Sequence, residues 1–453
     1  MMKIFRKLHL WLSVPFGIII TLICFSGAML IFEPEITRSV KSDVYYVRSS
    51  EGDPLPMGEL METVKATLPD SVAITGVTVF SDKDRTYQVN LSKPRRASMF
   101  IDQYSGEITG KYERLGFFST MFKLHRWLLD SANPHGDGVK VGKLLVGIST
   151  LIFVIALITG VVIWWPRARK NFRRSLSISA KNGWQGLWKS LHVAGGMYAL
   201  VFVLAMALTG LTWSFDWYRT AFYAVCGVEH TPRNFGGASE KSPERGHGSE
   251  GAENHRGTRG EGRRGGNGEG RSERHGEGRG EGRGERYGEG RGEGRGEGRG
   301  ERYGEGRGEG RGEGRGEGRG EGRRGGRRHS EFGRWQEVYN ELKAKNPDAP
   351  QITIGASTAS VTLGSIGNGR ASDKYEFNRR TGEITPATKY ADAVEADKLR
   401  GWIYAIHTGS WGGIITRILW LLSALLGASL PLTGYYIWIK HLRKKKPQPH
   451  ISA

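Results

Sequence analysis

Four long apolar segments constrain the fold of this chain more strongly than any other feature of its sequence. They cover roughly residues 10–33, 142–165, 191–214 and 413–439. Each is longer than the roughly 20 residues that an α-helix needs to cross the hydrocarbon core of a bilayer. The first is too long for the apolar part of a cleavable signal peptide, and no A-x-A site follows it. The sequence therefore predicts a membrane α-helical bundle of four spans.

The basic residues predict how these spans are oriented. They cluster before the first span, between the second and third spans, and after the fourth, with no Asp or Glu among them. These residues are Lys3, Arg6, Lys7, Arg167, Arg169, Lys170, Arg173, Arg174, Lys181, Lys189, Lys440, Arg443, Lys444, Lys445 and Lys446. Because cytoplasmic loops are enriched in Lys and Arg, both termini and the middle loop are predicted to be cytoplasmic, in a bacterial inner membrane. The net charge of +20 then indicates contact with membrane lipid, and no nucleic acid is expected as a partner.

The two long connections on the outer side share one plan. Each has a helical segment ended by proline, alternating strand-like runs, a turn of the pattern S/T-G-E-I-T, and a helix that carries one histidine. In the first copy these are the helix 58–68, the strands 72–80, 85–91 and 97–102, and the turn 105–109. In the second they are the helix 335–345, the strands 351–354, 359–363 and 374–378, and the turn 381–385. This repeat predicts two small α+β domains outside the membrane, related by tandem duplication.

The second copy also contains a Gly/Glu/Arg-rich insert. The insert repeats G-E-G-R and has few apolar residues, so it is predicted to be disordered. The predicted boundaries are the first span at 1–34, the first outer domain at 35–115, the histidine helix with the second span at 116–166, the basic loop at 167–189, the third span at 190–215, the insert at 236–330, the second outer domain at 331–397, the histidine helix with the fourth span at 398–440, and the basic tail at 441–453.

Two spans begin with a histidine and reach a hydroxyl–glycine pair 18 residues later. His9 leads to Gly27, and His192 leads to Gly210. Eighteen residues at about 100° each make five whole turns, so each glycine is expected on the same face as its histidine, about 27 Å away. This pattern predicts a group bound inside the bundle between a histidine near one surface and bare backbone near the other.

Four histidines form two pairs when they are ranked by depth in the membrane. His9 and His192 lie at the cytoplasmic ends of their spans, whereas His125 and His407 lie at the outer entrances of theirs. Two facing imidazoles provide the neutral nitrogen ligands that a six-coordinate b-type haem requires, so two b haems are predicted. A glycine at the depth of each histidine would let the flat macrocycle approach the backbone. The predicted cofactor-binding residues are His9, His192, His125, His407, Gly27, Gly210, Gly160 and Gly434.

Other interpretations of these residues stay open. A histidine at a membrane interface is often only a snorkelling side chain, and glycines along a span often mark sites of helix packing. Zinc also binds histidine pairs, although each pair lacks the two further ligands of a closed zinc site. Cys24 and Cys226 show no metal or redox spacing. The C-x-x-C-H motif is missing, so any haem would be held without covalent attachment.

The motifs around the histidines resemble those of a known family. They are L-H-L-W-L in the first span, L-H-R-W-L before the second, T-G-V-V-I-W-W-P at its end, L-H-V-A-G-G-M in the third, and I-H-T-G before T-G-Y-Y-I-W. Together they resemble the PepSY-associated transmembrane family, and the two S/T-G-E-I-T units resemble PepSY domains. The resemblance covers nearly the whole chain except the insert. It implies an iron-regulated bacterial inner-membrane protein or a ferric-siderophore reductase with two b haems, in which the four histidines are the ligands.

The first functional hypothesis is a transmembrane electron conduit that reduces a ferric siderophore complex. Its electrons would come from an unidentified cytoplasmic reductase or a quinol, because the cytoplasmic segments are too short to bind flavin or nicotinamide. Candidate contacts for an anionic chelate are Arg95, Arg96, Arg379, Arg380 and His135. The alternative is a non-enzymatic envelope protein whose PepSY-like domains bind a partner or modulate a protease. A permease is disfavoured because the predicted spans hold no acidic residue at membrane depth.

Overall fold

The structure is a computed structural model that describes residues 2–130, 140–181, 183–229, 332–364 and 367–444. Four helices in these residues are long and apolar enough to cross a membrane: Met2–Leu30, Val141–Lys170, Gly183–Ser214 and Ser410–Arg443. Their positions agree with the four apolar segments of the sequence. The prediction of a four-span membrane helical protein is therefore confirmed.

Helices and strands follow one another along the described chain. The helices are α1 (Met2–Leu30), α2 (Glu33–Val40), α3 (Ser42–Tyr45), α4 (Met57–Ala66), α5 (Gly116–Trp127), α6 (Val141–Lys170), α7 (Phe172–Ser175), α8 (Gly183–Ser190), α9 (Gly196–Ser214), α10 (Asp216–Val225), α11 (Trp335–Lys345), α12 (Glu395–Thr408) and α13 (Gly413–Lys444). The strands are β1 (Ile74–Phe80), β2 (Tyr87–Leu91), β3 (Ser98–Ile101), β4 (Ile108–Lys111), β5 (Gln351–Gly355), β6 (Thr358–Thr362), β7 (Ser372–Phe377) and β8 (Ile384–Thr388). A π-helical turn, Leu191–Gly195, joins α8 to α9 within the third span.

The spans pack as a bundle with an apolar interior. α1 and α9 each lie against both α6 and α13. Apolar side chains of all four helices fill the centre: Ile20, Phe153, Leu157, Ala199, Val203 and Leu430. Because lipid is as apolar as these side chains, close packing and hydrogen bonds hold such helices together. One of these bonds runs from the Thr21 hydroxyl on α1 to the Ala428 carbonyl on α13, at 3.0 Å.

The two long connections between spans together form one antiparallel sheet of eight strands in the order β4-β3-β2-β1-β5-β6-β7-β8. Each half is a meander of four strands, and the halves join where β1 pairs with β5. Alternate apolar residues of both halves face α4 and α11, which cover one face of the sheet and share its core. The two predicted outer domains are therefore the halves of one continuous sheet.

Short helices connect the sheet to the bundle. α5 lies between β4 and α6, and α12 lies between β8 and α13.

On α2, the Glu33 carboxylate accepts two hydrogen bonds from Arg114, at 2.5 and 2.8 Å. The Glu35 carboxylate accepts two from Arg417 of α13, at 2.5 and 2.7 Å, and Arg417 also donates to the Ile31 carbonyl. These two bidentate pairs, the α2 clamp, hold α2 against the segment before α5 and against the start of the fourth span.

Several features depart from the sequence-based expectations. The short helices α2 and α10, which follow the first and third spans, were not predicted by apolar periodicity. The π-helical turn interrupts the third span, so the assumption of five regular turns between His192 and Gly210 is wrong, because a π turn holds more residues than an α turn. The predicted disordered insert and residues 445–453 of the basic tail lie outside the described residues.

Candidate cofactor site

The first histidine pair, here called the inner pair, joins the first and third spans. His9 lies on α1, and His192 lies in the π-helical turn. Their ring centres are 6.4 Å apart, and the ring planes are nearly perpendicular, at 83°. Both rings are half-buried. A π turn re-aims the side chains that it carries and is frequent at functional sites.

The second pair, here called the outer pair, joins two helices that connect the sheet to the bundle. His125 lies in the last turn of α5, and His407 lies in the last turn of α12. Their ring centres are 6.1 Å apart, with an angle of 51° between the planes. The Trp213 ring of α9 contacts the His407 ring edge-on, at 5.1 Å between centres. The structure thus brings together the same two pairs that were predicted from depth in the membrane.

Each imidazole is held by a backbone carbonyl of a neighbouring span. The Nδ1 atoms of His125 and His407 lie 2.9 Å from the carbonyl oxygens of Ile23 and Met206, and those of His9 and His192 lie 3.1 Å from the carbonyl oxygens of Ala156 and Leu430. A carbonyl oxygen only accepts hydrogen bonds, so Nδ1 must carry the proton and donate. In the neutral ring, Nε2 then carries the lone pair that binds a metal.

The four glycines lie against these imidazoles. A Cβ atom placed on Gly27 would lie only 2.8 Å from Cε1 of the His125 ring. The corresponding distances are 3.1 Å for Gly210 and His407, 3.4 Å for Gly434 and His192, and 3.6 Å for Gly160 and His9. Gly27 and Gly210 therefore leave room for the edge of an imidazole, whereas a Cβ at Gly434 or Gly160 would make an ordinary contact with the ring. The contact of these glycines with a porphyrin stays a prediction.

The contacts are reciprocal within each half of the bundle. In the first half, His9 of α1 lies on Gly160 of α6, while His125, just before α6, lies on Gly27 of α1. The second half repeats the exchange between α9 and α13. Each pair thus takes one histidine from each half, so neither half alone can form a pair.

The spacing of the pairs fits one metal ion between two axial imidazoles. A transition metal binds an imidazole nitrogen at about 2 Å, so two rings on opposite sides of one ion have centres roughly 6 Å apart. Both observed separations agree with this distance. In the part of the chain that the structure describes, no group of three or more His, Cys, Asp or Glu side chains could hold a metal ion. The donor set therefore fits a haem, whose porphyrin supplies the remaining four nitrogens, better than a protein-only zinc site.

The sequence pattern contained the hydroxyl groups that lie beside the histidines, but sequence reasoning gave them no role. Thr159 and Thr433 have their Oγ1 atoms 3.0 and 2.9 Å from the Nδ1 atoms of His9 and His192. Thr209 lies 3.2 Å from Nδ1 of His407. The signal was present, since each of these threonines directly precedes one of the four glycines.

The arginines that were candidates for chelate contact do not form one cluster. Arg95 and Arg96 are exposed in the β2–β3 turn, whereas Arg379 and Arg380 are exposed in the β7–β8 turn. Five strand spacings separate the two turns, which is roughly 24 Å across a sheet. A single small chelate would therefore contact only one of these turns. His135 lies outside the described residues.

Four spans, a sheet attached to them and two half-buried histidine pairs define a multi-pass membrane protein with two candidate ligand sites. The profile of the PepSY-associated TM region matches residues 6–441. The chain therefore belongs to the PepSY-associated TM family, which confirms the resemblance of its motifs. A comparison with curated proteins gives no match.

Proposed function

We propose that this protein is a di-haem b electron conduit of the bacterial inner membrane that reduces a ferric siderophore complex in the periplasm. The observation that carries the proposal is the spacing of the two histidine pairs, with ring centres 6.4 and 6.1 Å apart and every Nδ1 bonded to a carbonyl. Family membership supports a membrane protein.

The residues of the chain would bind and orient the cofactors. His9 and His192 would hold the inner haem iron, and His125 and His407 the outer one. The carbonyl bonded to each Nδ1 fixes the ring orientation and presents Nε2 to the metal. The apolar side chains between the pairs keep water out of the bundle. When bound, the haems supply one-electron transfer between the two faces of the membrane.

A ferric siderophore suits this arrangement as the acceptor. Hard oxygen donors hold Fe(III) far more tightly than Fe(II), so a chelate that gains one electron releases its metal more readily. The outer pair lies on helices attached to the sheet, which supports an acceptor site on that side. The electron would come from a soluble cytoplasmic reductase or from a quinol.

The proposal also includes cytoplasmic termini and an origin by tandem duplication. The position of the basic residues supports the orientation. The meander in each half of the sheet and the reciprocal histidine–glycine contacts support the duplication.

The haem-to-protein ratio of the purified protein tests the proposal. We expect about two b haems per chain, seen in the reduced-minus-oxidised spectrum. His9→Ala and His125→Ala should each lower the ratio to about one, because each removes one of the two histidines that would hold that haem. His441→Ala, at the exposed end of α13, is the matched control and should keep both haems.

Addition of a ferric hydroxamate chelate to the reduced protein tests the acceptor. Reoxidation of the protein together with appearance of Fe(II) is expected, and the His125→Ala variant should be much slower. A protein without haem from haem-replete cells would contradict the proposal and favour the non-enzymatic alternative, in which the PepSY-like region binds a partner or modulates a protease.

A further inference from the structure

The four histidines share one local geometry that goes beyond the ligand pairs. Each Nδ1 is bonded to the carbonyl three residues before a hydroxyl residue, and that hydroxyl residue precedes the glycine under the ring. The four dipeptides, here called histidine seats, are Ser26-Gly27, Thr159-Gly160, Thr209-Gly210 and Thr433-Gly434.

The threonine hydroxyls of three seats accept a hydrogen bond from the imidazole and donate their own proton to a backbone carbonyl. Thr159 donates its own proton to the Ala156 carbonyl, at 3.0 Å. Its oxygen can therefore only accept from His9, at 3.0 Å, so the Nδ1–H of His9 is shared between two acceptors. Thr433 donates to the carbonyls of Ser429 and Leu430 and accepts from His192 in the same way.

The outer seats differ from each other. Thr209 donates to the Ala205 carbonyl, at 2.6 Å, and accepts from His407. Ser26 directs its hydroxyl to the carbonyls of Leu22 and Ile23, and among the described contacts it is not bonded to His125. In three of the four seats the Nδ1–H of the histidine therefore has two acceptors, a carbonyl and a hydroxyl. In the Ser26-Gly27 seat it has the carbonyl alone.

We propose that the seat threonines Thr159, Thr209 and Thr433 are positioning residues that set the reduction potential of the haem at their own site. The inference rests on the proposed function. An acceptor on Nδ1–H makes the imidazole a more basic ligand, as outer-shell partners do for metal-bound histidines generally. A more basic axial ligand stabilises Fe(III) relative to Fe(II), and so it lowers the potential. Ser26, which lacks this contact, provides a matched control inside the same protein.

A spectroelectrochemical titration of the purified, haem-loaded protein tests the proposal. The His125→Ala and His9→Ala variants, each with one haem left, identify which component of the titration belongs to which site. Thr159→Val and Thr433→Val should each raise the potential of the inner component and leave the outer one unchanged. Thr209→Val should raise only the outer component. Ser26→Ala should move neither component.

The serine variants separate hydroxyl chemistry from packing. Thr159→Ser keeps the hydroxyl and should have the wild-type potential, whereas a purely structural role would give a shift for Thr159→Ser, which loses the methyl group, and little shift for the isosteric Thr159→Val. A shift in Thr159→Ser as large as that in Thr159→Val, or a haem-loaded Thr159→Val with unchanged potentials, would overturn the seat proposal and leave the di-haem function intact. A wild-type protein without haem would instead overturn the proposed function itself.

Discussion

The inner and outer histidine pairs use the same seat geometry but differ in the distance between each glycine and its imidazole. Both outer glycines would place a Cβ within 3.1 Å of an imidazole, whereas the inner glycines leave at least 3.4 Å. The inner histidines lie within the spans themselves, and the outer ones lie on α5 and α12, which continue from the sheet. The bundle therefore positions the inner pair, while the sheet helps to position the outer pair. Substitutions in the sheet should therefore disturb the outer pair and leave the inner pair unchanged.

The largest effect is expected from Gly27→Ala. The added Cβ would meet His125 at 2.8 Å, which is too close, so the ring must leave its position and the outer haem should be largely lost. Gly160→Ala is the matched control, because its Cβ would meet His9 at an ordinary 3.6 Å. The haem-to-protein ratio measures both. Equal haem loss in the two variants would break the distinction between a tight outer and a looser inner site.

A smaller effect is expected from Gly76→Ala in β1. Its Cβ would lie 2.6 Å from the Ile354 carbonyl oxygen and would force β1 away from β5. Overpacking of this kind typically costs about 1–3 kcal/mol, so the thermal unfolding midpoint should fall. The outer haem should also show a shifted or broadened potential, while the inner haem should not change. Gly369→Ala, with no atom within 4 Å of its Cβ, is the control. An equal disturbance of both haems would contradict the role assigned to the sheet.

Glu35→Gln should have a still smaller effect, because it weakens one pair of the α2 clamp without touching a histidine. The Arg417 side chain is 17% exposed and that of Glu35 is 40% exposed, so solvent screens the pair and the expected loss is about 1 kcal/mol. Both haems should be retained. Glu341→Gln, in the exposed pair with Lys345, is the control and should change stability very little.

The effect of Glu35→Gln should depend on pH. The hydrogen bonds from Arg417 hold the pKa of Glu35 below its ordinary value. The pair therefore stabilises the fold fully above the unfolded-state pKa of about 4.3, and this contribution is lost as the pH falls through the lower folded-state pKa. In detergent at pH 7, the thermal unfolding midpoint of the variant should be lower than that of the wild type. The difference between the two midpoints should become smaller as the pH falls. A constant difference at all pH values would contradict this role of the ion pair.

The smallest expected difference between the sites is spectroscopic, and it rests on the two proposed haems. The planes of the inner imidazoles are 83° apart, and those of the outer pair are 51° apart. Near-perpendicular axial rings make the magnetic environment of low-spin ferric iron more anisotropic. The oxidised protein should therefore give two distinct low-spin electron paramagnetic resonance signals, the more anisotropic one being lost in His9→Ala. A single signal from a protein with both haems would remove this distinction.

The sequence was sufficient to predict the spans and the pairing of the histidines. The apolar segments are longer than a buried core helix needs, and the depth of His9, His125, His192 and His407 follows from their places at the ends of those segments. Family membership adds no further residue-level information, since the motifs already contain these histidines.

Features that depend on distant contacts could not be predicted in this way. The pairing of β1 with β5 joins Thr78 to Thr353, 275 residues apart, and no local turn signal specifies it. The seats depend on carbonyls of a different helix, which carry no sequence signature of their own. The π turn at His192 packs against α13, a contact with a distant helix that has no local signal in the sequence.

The seam between β1 and β5 has a consequence for biosynthesis. Thr353 leaves the ribosome 275 residues after Thr78, a delay on the order of tens of seconds at ordinary translation rates. Throughout this interval the first meander must wait with an open edge, and such edges readily recruit other strands. Nascent copies on one polysome could complete each other's sheets by exchange of halves, so protection of this edge during synthesis should govern how much monomeric protein a cell obtains.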